Sequence, residues 1–161
     1  MRTGTPPRLS GPHSALVSAL PEALGRVYGP RLTSALVFGS VGRGTARPDS
    51  DIDLYVVAEP LPRGRIARVE EFAAVEALLG TGGDADAALS PILRTPAEVD
   101  AGSWLFLDFT LDGRLLVDRD GFMASRLGRI AAKLAAVGAR REPYKGSWVW
   151  RIPADPSLLR P

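Results

Sequence analysis

The 161-residue chain contains no cysteine and a single histidine, His13. The first absence excludes disulfides, cysteine-ligated zinc, iron–sulfur clusters and a thiol nucleophile. The second excludes a Ser-His-Asp triad or a multi-histidine metal site built within the chain. His13 lies beside a Pro/Gly-rich N-terminus, where a solvated side chain is expected. Lysine is scarce as well: of the 20 basic residues only Lys133 and Lys145 are lysine. The arginine excess supplies bidentate binders of phosphate and carboxylate, although GC-rich codons produce the same Ala/Arg/Gly/Pro bias. Against 18 acidic residues the net charge is only +2, too small to announce a nucleic-acid binder. No apolar run approaches the roughly 20 residues that span a bilayer, and Ala15 to Leu20 is too short and poorly flanked for a signal peptide. A cytoplasmic protein without membrane association is therefore expected. Its chemistry falls to carboxylates, hydroxyls, arginines and backbone amides.

What is present suits one globular domain, with 45% hydrophobic and 24% charged residues. Residues 1–12 read as a flexible leader, 13–138 as the folded domain and 139–161 as a basic and aromatic tail. Leu16, Leu20, Leu24 and Val27 predict a helix from Ser14 to about Tyr28, with Pro21 as a potential kink. Leu32 to Phe38 and Asp51 to Val57 predict strands flanking a glycine-rich connection. Arg63 to Leu79 predicts a helix whose broad apolar face includes Ile66, Val69, Phe72, Val75 and Leu78. Ala87 to Arg94 predicts a third strand, confined to an edge or bulge by Pro91. Thr95, Pro96 and Glu98 form a helix-start signature. Trp104 to Leu111 fits helix or strand, with Trp104, Phe106 and Phe109 expected in the core. Arg114 to Val117 predicts a short strand, and Gly121 to Val137 an amphipathic helix capped by Asp120.

The chemically informative stretch is LVFGSVGRGTARPDSDIDLYVV, from Leu36 to Val57. Side chains alternate along a strand, so Asp51 and Asp53 share one face with Cα atoms about 6.5–7 Å apart. Two carboxylates so placed grip the same cations, and an all-oxygen donor set favours magnesium or manganese. Ile52, Leu54 and Val56 face the opposite way, into the core. Gly39-Ser40 ends the preceding strand, where a turn or helix start presents backbone amides and a hydroxyl to phosphate. Arg43 and Arg47 add potential charge-assisted bonds, and Gly44 permits close backbone approach. The P-loop alternative fails for want of its lysine and register. A dinucleotide-binding βαβ unit fails because seven residues between Gly44 and Ile52 cannot hold a crossover helix. The two strands are expected to be neighbours joined by a short helical turn.

The combination Gly39-Ser40, Arg43-Gly44 and Ser50-Asp51-Ile52-Asp53-Leu54 resembles the DNA polymerase beta nucleotidyltransferase superfamily, specifically its minimal, MNT-type members. The likeness is strong over residues 32–57 and looser across 14–95. It implies an α/β (α+β) fold: a small mixed β-sheet flanked by helices. It implies Asp51 and Asp53 as metal-binding aspartates, and Gly39, Ser40, Arg43 and Gly44 as the nucleotide-binding turn. The implied reaction transfers a nucleoside monophosphate from an NTP, expected to be ATP, to an acceptor hydroxyl with Mg2+ or Mn2+. Proteins of this type often act as antitoxins toward a HEPN-type ribonuclease toxin.

The same resemblance calls for a third carboxylate on a later strand, and here the sequence departs from the pattern. That position falls near Ser90. Asp86, four residues earlier on the same face and roughly 13 Å away along an extended strand, is the candidate base; Asp84 shares its parity but sits closer to the Gly82-Gly83 turn. The alternative function is a catalytically weak module that binds nucleotide or a partner. The tail, with Tyr144, Trp148 and Trp150 among arginines, could bind RNA, or form a strand or arm that packs on the sheet.

Overall fold

A computed structural model of the chain describes residue 11 and residues 13–81 and 88–153. Helix α1 (Ser14–Tyr28) runs unbroken through Pro21 and buries Val17, Leu20, Leu24 and Tyr28 along one face. Its start corrects the expectation of a solvated histidine: His13 is buried, and its Nε2 lies 3.0 Å from the Arg47 carbonyl. That oxygen can only accept, so Nε2 carries the proton. The bond ties the head of α1 to the connection that follows the next strand.

Strand β1 (Leu32–Val37), helix α2 (Gly39–Arg43) and strand β2 (Ile52–Ala58) form the expected strand, short helix and strand. β1 and β2 are antiparallel neighbours, with Val37 opposite Leu54. Helix α3 (Arg65–Leu79) then crosses over to β3 (Leu89–Arg94), which pairs parallel to β2. Helix α4 (Pro96–Asp100) opens with the full capping box: the Thr95 hydroxyl accepts from Glu98 N–H, and the Glu98 carboxylate accepts from Thr95 N–H. The ambiguous apolar run is helical, α5 (Leu105–Asp112), and leads into β4 (Arg114–Asp118), antiparallel to β1. Helix α6 (Phe122–Ala136) is followed by a hairpin of β5 (Arg140–Tyr144) and β6 (Ser147–Arg151).

The sheet order is β3-β2-β1-β4. β2 is central and apolar on both faces, as a strand covered from two sides must be. On one side Ile52, Leu54 and Val56 pack with Ala35 and Val37 against α1 and against Phe72 and Val75 of α3. On the other, Tyr55 and Val57 meet Val99, Phe106, Phe109, Met123 and Ile130. The result is three layers, helices on either side of a mixed sheet, which is the expected fold class. β3 is an edge strand, so Pro91 costs no bond within the sheet.

Three packing expectations are corrected. Ile66, Val69 and Leu78 of α3 are exposed, Ile66 by 76%, because the helix turns Phe72, Val75 and Leu79 toward the sheet and α1 and these three away from it. Trp104 is 62% exposed, since α5 begins after it and turns Phe106 and Phe109 inward instead. Asp120 does not cap α6; it adopts a left-handed conformation (φ 52°) in a 3-10 turn. The Asp118 carboxylate takes that role, accepting from the Met123 and Ala124 N–H groups at 2.8 and 2.9 Å. It also accepts from the Ser34 hydroxyl, which links the start of α6 to β1.

Candidate active site

Asp53 is the second residue of β2 and stands on the same face as Tyr55 and Val57, at the rim of the aromatic cluster. Asp51, exposed and one residue before the strand, is close enough for its charge to act on Asp53. Partial burial pushes the Asp53 carboxyl above the ordinary carboxylate value; the Asp51 charge adds to that shift and Arg43 opposes it. The structure thus brings the two aspartates within electrostatic reach of each other, with Arg43 as the nearby cation. Tyr55, two residues on, is no competitor for base chemistry: burial pushes its phenol up to about 12. In the parallel register Asp53 lies directly beside Ser90 of β3. Ser90 is thus the β3 residue that neighbours Asp53 on this face of the sheet. Asp84 and Asp86 lie outside the described residues.

The Gly39-Ser40 turn is pressed against this pair. Phe38 N–H donates to the Asp53 carbonyl at 3.1 Å, extending the β1–β2 ladder into the turn. Gly39 has φ 63°, and a Cβ there would fall 2.1 Å from Asp53 Oδ2. Only glycine lets the backbone come this near the carboxylate. The first helical bond of α2 runs from Gly42 N–H to the Phe38 carbonyl at 3.1 Å. The N–H groups of Gly39, Ser40 and Val41 therefore precede the ladder, as at any helix start. The Ser40 carbonyl accepts from Thr45 N–H at 2.9 Å, which folds the following loop back over α2. Gly44 ends α2 at φ 75°, and its role is this turn: an added Cβ would meet nothing within 4 Å. Arg47 contributes its backbone, through the carbonyl held by His13 and an N–H that donates to Ser50 Oγ at 2.9 Å.

Arg43 points from the end of α2 toward a carboxylate that sequence reasoning did not single out. Its Nη1 donates to Asp112 Oδ2 at 3.0 Å. Asp112 ends α5 and is 4% exposed. Arg141 of the hairpin grips the same carboxylate with two bonds, of 2.6 and 2.8 Å. Burial pushes Asp112 upward, but the hydrogen bonds from Arg141 and Arg43 outweigh it and hold the carboxyl below its usual range. Trp150 Nε1 donates to Asp108 at 3.0 Å, one turn earlier on α5. The tail forms strands, as one alternative expected, but the hairpin packs on α5 rather than on the main sheet. Trp148 and Tyr144 remain half exposed. No spacing in the sequence links positions 43, 112 and 141.

A sequence profile of the nucleotidyltransferase domain family matches residues 18–106, more than half of the chain. The chain belongs to this family. A putative protein adenylyltransferase of Methanocaldococcus jannaschii is 36% identical over 107 residues, which cover 64% of this chain and 70% of that protein. Among solved structures, a toxin–antitoxin complex with AMP-PNP aligns at 24% identity and TM-score 0.46, covering 74% of this chain and 94% of that one. The MntA-HepT toxin–antitoxin complex aligns at 22% identity and TM-score 0.45, covering 76% and 90%.

As a nucleotidyltransferase, the chain can be asked whether its residues suit a divalent cation. Among the described residues no group of three or more His, Cys, Asp or Glu side chains converges on one point. The donor set is two carboxylates with the Ser90 hydroxyl beside them. Magnesium is commonly held by one or two carboxylates together with substrate phosphates and water, so a pair of aspartates fits it without a full protein cage. The charge repulsion between Asp51 and Asp53 is a further reason for a cation to be favoured between them. The matched region ends at residue 106, so Asp112 and Arg141 lie beyond it.

Proposed function

We propose that this nucleotidyltransferase moves AMP from ATP to a hydroxyl group of a protein, using Mg2+ (or Mn2+) held by Asp51 and Asp53. The observation that carries the reading is the contact of the Gly39 backbone with the Asp53 carboxylate, which puts the phosphate turn and the acidic pair in one place. The adenylyl group and the protein acceptor are supported by the relative from M. jannaschii, named a putative protein adenylyltransferase. The backbone amides of Gly39 and Ser40, the Ser40 hydroxyl and Arg43 bind the triphosphate, and Gly44 turns the chain so that α2 presents them. The metal, when bound, neutralises phosphate charge and polarises the α-phosphorus toward attack. The acceptor oxygen bonds to that phosphorus, the bond to the β-phosphate oxygen breaks, pyrophosphate leaves, and the hydroxyl proton passes to a base. Asp86 is the proposed base.

An open groove of about 710 Å³ starts at Ser90 and runs along β3, past Arg65, Arg68, Arg94 and Glu98. The acceptor class includes a HEPN-type toxin partner, as the resemblance to MNT-type proteins implies. RNA is the weaker alternative, because Arg141 and Trp150 of the hairpin are engaged by Asp112 and Asp108. No helix among the described residues is long and apolar enough to cross a membrane, which suits a cytoplasmic role.

Ser90 favours a second reading, a module that binds nucleotide but turns over weakly, because a hydroxyl there is no strong base. Incubation with ATP labelled at the α-phosphate, Mg2+ and candidate acceptor proteins separates the two. Label transfer that is lost in Asp51→Asn and Asp53→Asn supports the enzyme. Metal-dependent ATP binding without transfer to any acceptor supports the module.

A further inference from the structure

Asp112 has more counter-charge than a buried carboxylate needs. Arg141, with its side chain 10% exposed, makes the bidentate pair, whereas Arg43, 29% exposed, adds one longer bond to the already occupied Oδ2. A bidentate guanidinium–carboxylate pair is the stronger arrangement and by itself satisfies the charge. Two guanidinium groups converging on one oxygen also repel each other. Arg43 is therefore the releasable partner. It also lies within electrostatic reach of Asp53, on the side where the phosphate turn meets the acidic pair. The position of α2 is fixed independently: a Cβ on Gly42 would fall 2.1 Å from the Asp112 carbonyl oxygen, so helix α2 and the end of α5 are in backbone contact.

We propose that Asp112 is the resting partner of Arg43, and that Arg141 of the C-terminal hairpin, by neutralising Asp112, leaves Arg43 free to move to the triphosphate. Arg141 is then a positioning residue that never touches nucleotide, and the hairpin sets nucleotide affinity from outside the phosphate turn. Without Arg141, Arg43 is the remaining strong counter-charge for Asp112 and is held there. This inference rests on the reading above that Arg43 binds phosphate.

The test is the Kd for ATP with Mg2+, measured by calorimetry on the full chain, with thermal unfolding of each variant recorded alongside. Arg43→Ala should weaken binding about tenfold, the scale of one charge-assisted hydrogen bond. Arg141→Met should approach the same loss, and adding Asp112→Asn to it should restore near-native affinity, because Arg43 no longer has a carboxylate to hold it. Arg43→Ala with Arg141→Met should be no weaker than Arg43→Ala alone. Rescue by a second substitution is the outcome that a purely structural role for Arg141 would not produce. Native-like binding by folded Arg141→Met, or loss that Asp112→Asn does not restore, overturns the proposal while leaving the phosphate reading intact. Native-like binding by Arg43→Ala instead removes the phosphate reading, and the proposal with it. Should Arg141→Met not fold, Arg141→Gln removes the charge while keeping a hydrogen-bond donor: a weaker affinity restored by Asp112→Asn supports the proposal, and an unchanged one overturns it.

Discussion

Asp53 Oδ2 stands 2.1 Å from the point where a Cβ on Gly39 would be, so the carboxylate and the turn occupy one surface with no room between them. Gly39→Ala meets two obstacles at once: a φ of 63° that L side chains adopt at a cost, and a contact that must push Asp53 aside. The expected loss of stability is about 1–3 kcal/mol. The expected loss of nucleotidyl transfer is far larger, about a hundredfold, because a displacement near 1 Å at a reacting centre costs that much. Comparison of denaturant midpoints with initial transfer rates checks the split. Equal, small effects on both would mean that the contact is incidental.

The acidic pair makes its own prediction about metal and stability. Burial and the neighbouring Asp51 raise the Asp53 carboxyl in the folded state, so the folded chain holds that proton more tightly than the unfolded chain. Stability from this group is then present at low pH and is lost as pH rises from the ordinary carboxylate value through the raised one. At neutral pH without divalent cation, Asp53→Asn should therefore raise Tm by about 1–3 °C. Mg2+ should raise the Tm of the native chain and leave that of Asp53→Asn nearly unchanged. Differential scanning calorimetry with and without Mg2+ tests both signs; a variant less stable than the native chain in the absence of metal would contradict the first.

How far the site was legible depended on the distance in sequence over which it is assembled. The Gly39-Ser40 turn and the Asp51/Asp53 pair lie within fifteen residues, joined by one short helix, so local pattern was enough to find them, although Asp51 stands just before β2 rather than within it as expected. The third strand itself was legible because the Thr95 to Glu98 capping box pins its end, and Ser90 of that strand lies beside Asp53. Asp112 was not legible, since its partners Arg43 and Arg141 lie 69 and 29 residues away and nothing periodic connects them. His13 was misread for the same reason: its partner, the Arg47 carbonyl, lies 34 residues on. The face of α3 was overread because helical periodicity reports which residues are apolar, not how much of a helix its sheet can cover. Ile66, Val69 and Leu78 satisfy the period and remain exposed.

Ser90 beside Asp53 offers a gain-of-function measurement. Ser90→Asp places a third carboxylate next to the existing pair, on the same face and in parallel register. It should tighten binding of Mn2+ about tenfold or more and lower the metal-free Tm by about 1–3 °C, since three like charges then converge. If the native site is limited by its base, turnover should rise by about a hundredfold, within the range for general base catalysis. Asp86→Asn separates the alternatives. Strong loss of transfer in Asp86→Asn with no gain in Ser90→Asp identifies Asp86 as the base; the reverse pattern excludes it.

The Asp112 network predicts the acid limb of the stability profile. The bonds from Arg141 and Arg43 overcome the upward push of burial and hold the Asp112 carboxyl below its usual range. A lowered carboxyl contributes stability that is complete above its unfolded value and is lost as pH falls through its folded one. For Asp112 that window lies below the ordinary aspartate value of 3.8. Asp112→Asn should therefore destabilise the chain by about 1–3 kcal/mol at neutral pH, because Arg141 loses its two-bond partner and keeps only the longer, 3.4 Å contact with Asp108. As pH falls below the ordinary aspartate value the two proteins should converge, since the native Asp112 then takes up its proton. Urea midpoints collected between pH 2 and pH 7 measure this convergence. A gap between the curves that stays constant with pH would mean that Asp112 does not act through its charge.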